Sequence, residues 1–163
     1  MKTLVVFYSR TGTTRKLAEK IAHEFNSDLE EIIDLTDRRG AIGWITSGRD
    51  AMKKKVTSIK DLSKDISKYD LVIVGSPVWA GSVTPAIRTF LNKYKDQIKK
   101  TAFFCTMSGE NPSRIFIQMQ ELINIKPLDI LALTTKEVVN KNYTNDLINI
   151  LNDFTNKVKS GKS

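Results

Sequence analysis

An unbroken aliphatic run, Leu71-Val72-Ile73-Val74, constrains the fold more than any other stretch of this chain. The run has the length of a strand and is partly β-branched, and no polar residue alternates with the apolar ones. A strand of this kind is buried on both faces, which is typical of a parallel sheet covered by helices on each side. The run therefore predicts an α/β fold, with a central strand that ends where Gly75 gives way to Ser76-Pro77.

Apolar runs alternate with helical patterns along the whole sequence. No repeat, low-complexity segment or linker divides them, so we expect residues 1–163 to form a single domain with right-handed crossovers. The predicted strands are Thr3–Tyr8, Leu29–Asp34, Leu71–Gly75, Thr101–Thr106 and Leu128–Leu133. The predicted helices are Thr13–Asn26, Gly40–Lys54, Asp61–Ser67, Thr84–Gln97, Ser113–Ile123 and Asn145–Lys159.

Several classes of protein are disfavoured by the composition. No apolar run approaches the roughly 20 residues needed to cross a membrane, and residues 1–3 lead into a strand without a secretory signal, so we expect a cytoplasmic protein without membrane insertion. Cys105 and His23 are the only cysteine and histidine, too few for a disulfide or a structural zinc site, and no metal is expected. We expect Cys105 in the core and His23 on the surface.

The formal net charge is +8, and much of it lies in one segment. Residues 36–69 contain nine Lys or Arg against four Asp, an excess of five positive charges. Such a balance suits nucleic acid, an anionic membrane face or an acidic protein. The run Lys53-Lys54-Lys55 is either a solvated helix end or a docking patch. No zinc finger, recognition helix or interleaved basic and aromatic pattern is present, so nucleic-acid binding is not expected.

The segment Ser9-Arg10-Thr11-Gly12-Thr13-Thr14 joins the first predicted strand to the first predicted helix. A helix that begins at such a turn leaves backbone N–H groups unpaired where its dipole is positive, and this end binds anions. Gly12 lets the backbone approach an anion, while the hydroxyls add donors. An ordinary capped turn is the alternative, but one Ser or Thr would suffice for that.

Two further loops, residues 76–84 and 107–112, follow strands of the same parallel sheet and therefore lie at the same edge as the first loop. Ligands of such sheets bind at this edge, beyond the carboxyl ends of the strands. In the first of them Trp79 is either a stacking surface for a planar ligand or a side chain packed on its own helix. A phosphate loop beside an aromatic loop outlines a site for a flat ring with a phosphate tail, such as FMN.

The first loop resembles the phosphate-binding loop of the flavodoxins, in which Ser or Thr, any residue, Thr-Gly, any residue and Thr follow one another. Ser9, Thr11, Gly12 and Thr14 match this pattern in full. The stretch Val74–Gly81 is similar to the flavin-contacting loop of small flavodoxin-like oxidoreductases, and so is Thr89-Phe90-Leu91 beyond it. The segment Gly43–Lys55 resembles a connection in a basic subset of the family. The long insertion of long-chain flavodoxins is not visible.

This resemblance implies the flavodoxin-like three-layer fold, a five-stranded parallel sheet of order 2-1-3-4-5 with FMN at the switch between strands one and three. It implies that Ser9, Thr11, Gly12, Thr13 and Thr14 hold the phosphate, that Pro77, Val78, Trp79, Ala80 and Gly81 border the isoalloxazine, and that Ser108 and Gly109 face the ring edge. Arg10 and Arg15 either add charge at the phosphate or point into solvent. Glu110 lies on the surface or reaches the flavin, and Trp44 packs beneath its connection or lies near the flavin edge.

The implied function is electron transfer, in which the flavin supplies the redox step and no catalytic acid or nucleophile is required. A carrier would serve a redox partner protein, whereas a reductase would bind a small electron acceptor such as a quinone, or a nicotinamide, over the ring. We favour the carrier because no second nucleotide-binding segment is visible. The basic charge would favour the anionic reduced flavin.

Other functions on this fold are disfavoured. A receiver domain needs acidic residues where Tyr8-Ser9 and Gly75-Ser76 stand, and a tyrosine phosphatase needs a cysteine in the first loop. A binding module that has the fold without flavin remains a further alternative.

Overall fold

A computed structural model describes residues 1–38, 40–109, 111–139 and 145–161. Its strands are β1 (Thr3–Phe7), β2 (Asp28–Glu31), β3 (Leu71–Trp79), β4 (Ser82–Val83), β5 (Thr101–Met107) and β6 (Ile130–Thr134). Its helices are α1 (Thr13–Phe25), α2 (Gly40–Met52), α3 (Pro85–Tyr94), α4 (Ser113–Ile123), α5 (Thr135–Val139) and α6 (Asn145–Ser160), with short 3₁₀ turns at Ile66–Lys68 and Lys95–Gln97. Across these ranges, no helix combines the length and apolarity that crossing a bilayer requires.

The sheet has the order β2-β1-β3-β5-β6, and all of these neighbours run parallel. Strand β4 lies off this path and pairs antiparallel with the end of β3. When the parallel strands alone are counted, the order is 2-1-3-4-5, which confirms the predicted flavodoxin-like α/β fold.

The central strand β3 contributes to two apolar layers because successive side chains point to opposite faces. Val72 and Val74 pack with α3 and α4 on one face, while Leu71 and Ile73 pack with α1 and α6 on the other. All four side chains are fully buried. This arrangement agrees with the unbroken aliphatic run, and it leaves the carboxyl ends of the strands as the edge where loops converge.

The predicted end of the central strand is wrong. β3 continues through Ser76 and Pro77 to Trp79, and a two-residue turn at Ala80 and Gly81 returns the chain into β4. Proline fits here because β1 stops pairing at Gly75, so Pro77 pairs only with β5, at Thr106. The turn has positive φ at both central residues, 48° and 67°, as a tight hairpin requires.

A helix over 61–67 is also a wrong prediction. The carboxylate of Glu30 accepts hydrogen bonds from the backbone N–H and the hydroxyl of Ser63, at 2.8 and 2.5 Å, and this holds the segment in a non-helical course. Only a 3₁₀ turn forms, where Asp65 accepts the Ser67 N–H. The structure also adds the short helix α5 after β6.

The second and last parallel strands are shorter than predicted. β2 ends at Glu31 because β1 ends at Phe7, whose carbonyl accepts one more bond, from Ile32 N–H. β6 begins at Ile130, although Leu128 N–H already donates to the Thr101 carbonyl. The other predicted elements agree with the structure to within a few residues at their ends.

Replacing Gly75 by alanine tests the packing of the central strand. An added Cβ would lie 2.0 to 2.5 Å from three ring atoms of Phe104, whose side chain is fully buried and cannot move aside freely. We expect Gly75→Ala to lower the free energy of unfolding by about 2–3 kcal/mol, measured by urea denaturation.

Gly48→Ala is the matched control, because its nearest neighbour would be the Ala80 Cβ at 3.9 Å and the position is helical. We expect this variant to raise the free energy of unfolding by up to about 1 kcal/mol. Equal stability of the two variants would contradict the packing described here.

Candidate functional site

A cavity of about 510 Å³ opens at the carboxyl ends of β1, β3 and β5. Its volume is in the range of small-molecule and cofactor sites. The three loops that the sequence singles out meet here, together with one side of α2. The lining residues are Arg10, Thr11, Thr13, Thr14, Trp44, Ile45, Ser47, Gly48, Pro77, Val78, Trp79, Ala80, Thr106 and Ser108.

The first loop forms a tight turn immediately before α1. Gly12 is the N-cap with φ 89°, and its N–H donates to the Ser9 hydroxyl at 3.1 Å. The first intrahelical bond runs from Lys16 N–H to the Gly12 carbonyl. In the described ranges no side chain caps the helix, and the first turn carries no acidic residue. The backbone donors of this turn are therefore available to an anion.

Thr14 ties the first loop to β5. Its hydroxyl lies 2.8 Å from that of Thr106, and both side chains are buried. This contact links the start of α1 to the carboxyl end of β5, and both residues line the cavity. A buried hydroxyl pair holds its geometry because neither partner can turn to water without losing the bond.

Trp79 lies at the tip of β3 and is half-buried. Its indole meets the Tyr8 ring edge-on, with 5.6 Å between centroids, and part of it faces the cavity. Trp79 thus packs on Tyr8 and also lines the cavity, and its stacking on a planar ligand stays a prediction. Burial and the charge of Asp34 raise the pKa of Tyr8 to about 12, so the phenol is neutral at physiological pH.

The β3–β4 hairpin is anchored from below by α4. The Gln118 side-chain oxygen accepts hydrogen bonds from Val83 N–H at 3.3 Å and from the Arg88 guanidinium at 3.2 Å. Arg88 is 6% exposed, and burial lowers its pKa. These two buried hydrogen bonds join α3, α4 and the hairpin, and they restrain the loop that carries Trp79.

Two guanidinium groups flank Trp79. The Cζ atoms of Arg10 and Arg38 each lie 5.9 Å from the centroid of the indole. Arg10 belongs to the first loop and lines the cavity, so it contributes charge there. Arg15, the other arginine in question, instead pairs with Glu31 at 2.5 Å and lies beyond the cavity lining.

Arg38 is the centre of an ion-pair network that holds α2 against the site. Its side chain is 6% exposed and contacts Asp34 at 2.6 Å and Asp50 at 3.2 Å. Lys55 reaches Asp50 at 3.0 Å. The network connects the segment after β2 to the C-terminal half of α2, which positions the α2 residues that face the cavity.

Most of the predicted site residues line the cavity. Four of them lie outside its lining: Ser9, Gly12, Gly81 and Gly109. The Ser9 hydroxyl and the Gly12 N–H form the hydrogen bond within the first loop, and Gly81 completes the hairpin turn. Gly109 follows the lining residue Ser108 and has φ 144°. Glu110 lies outside the described residues.

One wall of the cavity was not predicted. Ile45, Ser47 and Gly48 come from α2, which carries no binding motif, and the sequence alone left Trp44 undecided. Trp44 lines the cavity and is 71% exposed. Thr106 was also missed, although its position at the end of a predicted parallel strand was a usable signal.

Other features of the surface carry less chemistry. A groove of about 580 Å³ lies between α1 and α6, and one of about 570 Å³ adjoins the first loop. Lys or Glu side chains make up half of the residues that line the first groove. Among the described residues, no group of three potential metal ligands comes together. His23 is exposed, with 88% of its side-chain surface accessible, and Cys105 is fully buried, both as predicted.

Removing the central cation of the α2 network should weaken the fold. Arg38→Gln leaves two carboxylates without their buried partner, and we expect a loss of about 3 kcal/mol in the free energy of unfolding, measured by urea denaturation. Arg49→Gln is the control, because Arg49 is 56% exposed and its distance from the same Asp50, 4.0 Å, is at the limit of an ion pair. It should change stability by less than about 0.5 kcal/mol. Similar losses in both variants would contradict the assigned role.

The same network predicts a dependence on pH. Burial raises the pKa of Asp50, but Lys55 and Arg38 lower it by more, so the folded pKa lies below the ordinary value. The stability that ionised Asp50 contributes to the fold is therefore fully present above the unfolded pKa of about 3.9. It is lost as the pH falls through the folded pKa. We expect the stability difference between wild type and Arg38→Gln to shrink on acidification below about pH 4.

Comparisons with known proteins agree with this geometry. A family model described as flavodoxin matches residues 2–153. A crystal structure of a flavoprotein in complex with FMN from Lactobacillus acidophilus NCFM is 31% identical, covers 80% of this chain and 92% of its own, and has a TM-score of 0.71. A structure described as a flavoprotein from Bacteroides eggerthii DSM 20697 shares the fold at 23% identity and a TM-score of 0.73, covering 94% and 97%.

A curated relative from Deinococcus radiodurans, an NAD(P)H dehydrogenase (quinone), is 28% identical over an alignment of 96 residues that covers 56% of this chain. The chain spans 48% of the length of that relative, about half. The family match, by contrast, extends over nearly the whole chain. Together with the sheet order and the loops at its carboxyl edge, it shows that the chain belongs to the flavodoxin family.

Proposed function

We propose that this chain binds FMN in the cavity at the carboxyl edge of the sheet and transfers electrons through it. The observation that carries the proposal is the juxtaposition of an uncapped, acid-free start of α1 with the half-buried indole of Trp79 across one cavity. The related flavoprotein from Lactobacillus acidophilus, whose structure contains FMN, supports the same ligand.

The residues at the first loop suit a phosphate. Backbone N–H groups at the start of α1 and the hydroxyls of Thr11 and Thr13 would donate to its oxygens, and the guanidinium of Arg10 would offset its charge. Ser9 and Thr14 would act indirectly, since their hydroxyls already bond to Gly12 N–H and to Thr106. No acidic side chain in the first turn opposes an anion.

The residues across the cavity suit a flat ring. Pro77, Val78, Trp79 and Ala80 present a mostly apolar surface on the rigid hairpin, and Trp44 and Ile45 of α2 present another. Aromatic faces favour stacking on planar systems. Ser108 would lie at the ring edge, and Gly109 after it would let the backbone turn there.

Bound FMN would supply the redox chemistry, so the chain needs to contribute only binding and electrostatics. Arg10 lines the cavity beside Trp79 and would stabilise negative charge within it. Tyr8 keeps its proton and adds no charge. Arg10 would therefore favour the more negative, reduced state of a bound ligand.

Within this function we favour an electron carrier that serves a redox partner protein. A reductase that transfers electrons from NAD(P)H to a small acceptor is the second candidate. Two observations favour that candidate: the similarity to a quinone dehydrogenase and the apolar wall formed by Trp44 and Ile45, against which an apolar acceptor could pack. A module that binds a phosphate ligand without flavin would be a third.

A visible absorption spectrum of protein purified without denaturation, followed by addition of FMN, tests cofactor binding. We expect the bands of oxidised flavin and quenched flavin fluorescence. A colourless protein that takes up no FMN would overturn the proposal.

Thr13→Glu tests which part of the ligand the first loop binds. A carboxylate at this position is compatible with the helix, because it faces the positive end of the dipole, but it repels a phosphate. We expect FMN affinity to fall at least about tenfold, measured by fluorescence titration. Riboflavin, which lacks the phosphate, should bind the variant as it binds wild type.

Thr13→Gln is the matched control, since it has nearly the same size and no charge. It removes the Thr13 hydroxyl without adding a charge, so it should lose less FMN affinity than Thr13→Glu. If Thr13→Glu weakens FMN and riboflavin equally, the phosphate does not bind at this loop.

Steady-state kinetics separate the carrier from the reductase. For a carrier we expect the FMN-loaded protein to oxidise NADPH with a soluble benzoquinone at less than about 1 per second, below the usual range of enzyme turnover. Turnover near 10 per second, which is typical of enzymes, would establish the reductase instead.

A further inference from the structure

Helix α2 exposes large apolar side chains to solvent. Ile42 is 80% exposed, Ile45 65% and Met52 59%, and the adjoining Trp44 is 71% exposed. Trp44 and Ile45 line the cavity, whereas Ile42 and Met52 lie outside its lining. Ile42, Ile45 and Met52 recur at helical spacing, so the outward face begins at the edge of the cavity with Ile45. Single exposed apolar residues are common, but a contiguous set on one helix face marks an interaction surface.

The inward face of the same helix explains why the large residues point out. Gly43, Ser47 and Ala51 are its buried residues and follow one another four apart. A Cβ on Gly43 would lie 2.3 Å from the backbone carbon of Arg38, so only glycine fits at this approach. Small residues thus allow α2 to pack close to the rest of the protein. Because they occupy the inward face, the large apolar side chains lie on the outward face.

Positive charge lies at the C-terminal end of this outward face and just beyond it. Arg49 and Lys53 continue its spacing, and Lys54 follows at the end of the helix. In the part of the chain that the structure describes, the ammonium groups of Lys53 and Lys54 have no carboxylate within ion-pair distance, and Arg49 is more than half exposed. The sequence offered a solvated helix end or a docking patch for these lysines, and the apolar face beside them favours docking.

The charge decides which partner fits. A second copy of the chain would set the same cations against each other across a twofold axis, which is unfavourable. Lysine is depleted at protein interfaces, whereas an apolar helix face bordered by Lys and Arg is the pattern of helices that lie on anionic membranes. Each Lys or Arg near such a surface strengthens binding.

We propose that the outward face of α2, with Arg49, Lys53 and Lys54, docks on the surface of an anionic lipid bilayer. Ile42 and Met52 would enter the headgroup boundary while the cations contact lipid phosphates, and Ile45 would remain at the cavity beside them. With so few apolar side chains the binding is peripheral, reversible and sensitive to salt. Docking also brings the α2 wall of the cavity, with Trp44, next to the membrane, and it requires no bound FMN.

Vesicle sedimentation tests this docking on the intact protein. The probes are phosphatidylcholine vesicles with and without about one-third phosphatidylglycerol, a composition that supplies negative surface potential. We expect binding to the anionic vesicles at low ionic strength, little binding to the neutral ones and release by high salt. Lys53→Glu with Lys54→Glu should weaken binding by about 25-fold or more, from about fivefold for each lost lysine.

A second pair, Ile42→Ser with Met52→Ser, should weaken binding about tenfold by removing apolar contact. Matched controls carry the same changes elsewhere, Lys99→Glu with Lys100→Glu and the half-exposed Ile117→Ser on α4. These should bind within about twofold of wild type. Circular dichroism and FMN uptake verify that each variant is folded.

Failure to bind anionic vesicles, equal binding to neutral ones, or weakening by the control changes to the same extent would overturn the proposal. So would a dimer in light scattering that Ile42→Ser with Met52→Ser converts to monomer, because a second copy would then cover the face. Capture of an acidic redox protein such as a plant-type ferredoxin, without vesicle binding, would also overturn it. Since FMN uptake is measured separately, these outcomes leave the cofactor proposal untouched.

Discussion

The start of α1 forms one wall of a cavity, and the rest of the candidate site is arranged around it. Helix starts are normally capped by a side chain, but here Gly12 occupies the cap position and the Ser9 hydroxyl is used within the turn. Backbone donors at a helix start without a side-chain cap suit an anion, which the proposed phosphate would supply. The parallel sheet then sets everything else, because it brings the ends of β3 and β5 to the same edge.

Each wall of the cavity is held by a different interaction. Thr14 and Thr106 join the first loop to β5, and Gln118 ties the β3–β4 hairpin to α4. The α2 wall depends on charge, through Arg38 and its two carboxylates. Thr89 of α3 adds a restraint on the segment that follows α2. Its hydroxyl accepts from Thr57 N–H at 2.9 Å and donates to the Thr57 carbonyl at 2.8 Å. Local sequence forms the loops, but these long-range contacts set the shape of the cavity.

The sequence was sufficient for the fold because its strongest signals are local. The aliphatic run around Ile73 and the helical spacing of α1 each depend on neighbours within a few residues, and the strand order followed from the family resemblance. The helix expected at 61–67 failed since its course is decided by Glu30, more than thirty residues earlier. Likewise, the extension of β3 past Pro77 depends on where β1 stops pairing, which no local pattern reveals.

The candidate site, like the fold, could be predicted only where its residues carry a local signal. The first loop and Trp79 could be identified because turns and aromatic residues at strand ends have a direct physical meaning. Ile45, Ser47 and Gly48 could not, since their place at the cavity follows from the close packing of Gly43 and from the buried Arg38. Trp44 stayed undecided for the same reason. Its exposure is a consequence of which side of α2 is buried.

An amide NMR titration tests the central claim most directly. If the start of α1 binds the phosphate of FMN, the backbone N–H resonances of residues 10–15 shift on addition of FMN and stay largely in place on addition of riboflavin. Resonances of the 77–80 hairpin shift with both ligands, because both carry the ring. Unchanged resonances at 10–15 with FMN, or shifts confined to the groove between α1 and α6, would contradict the account.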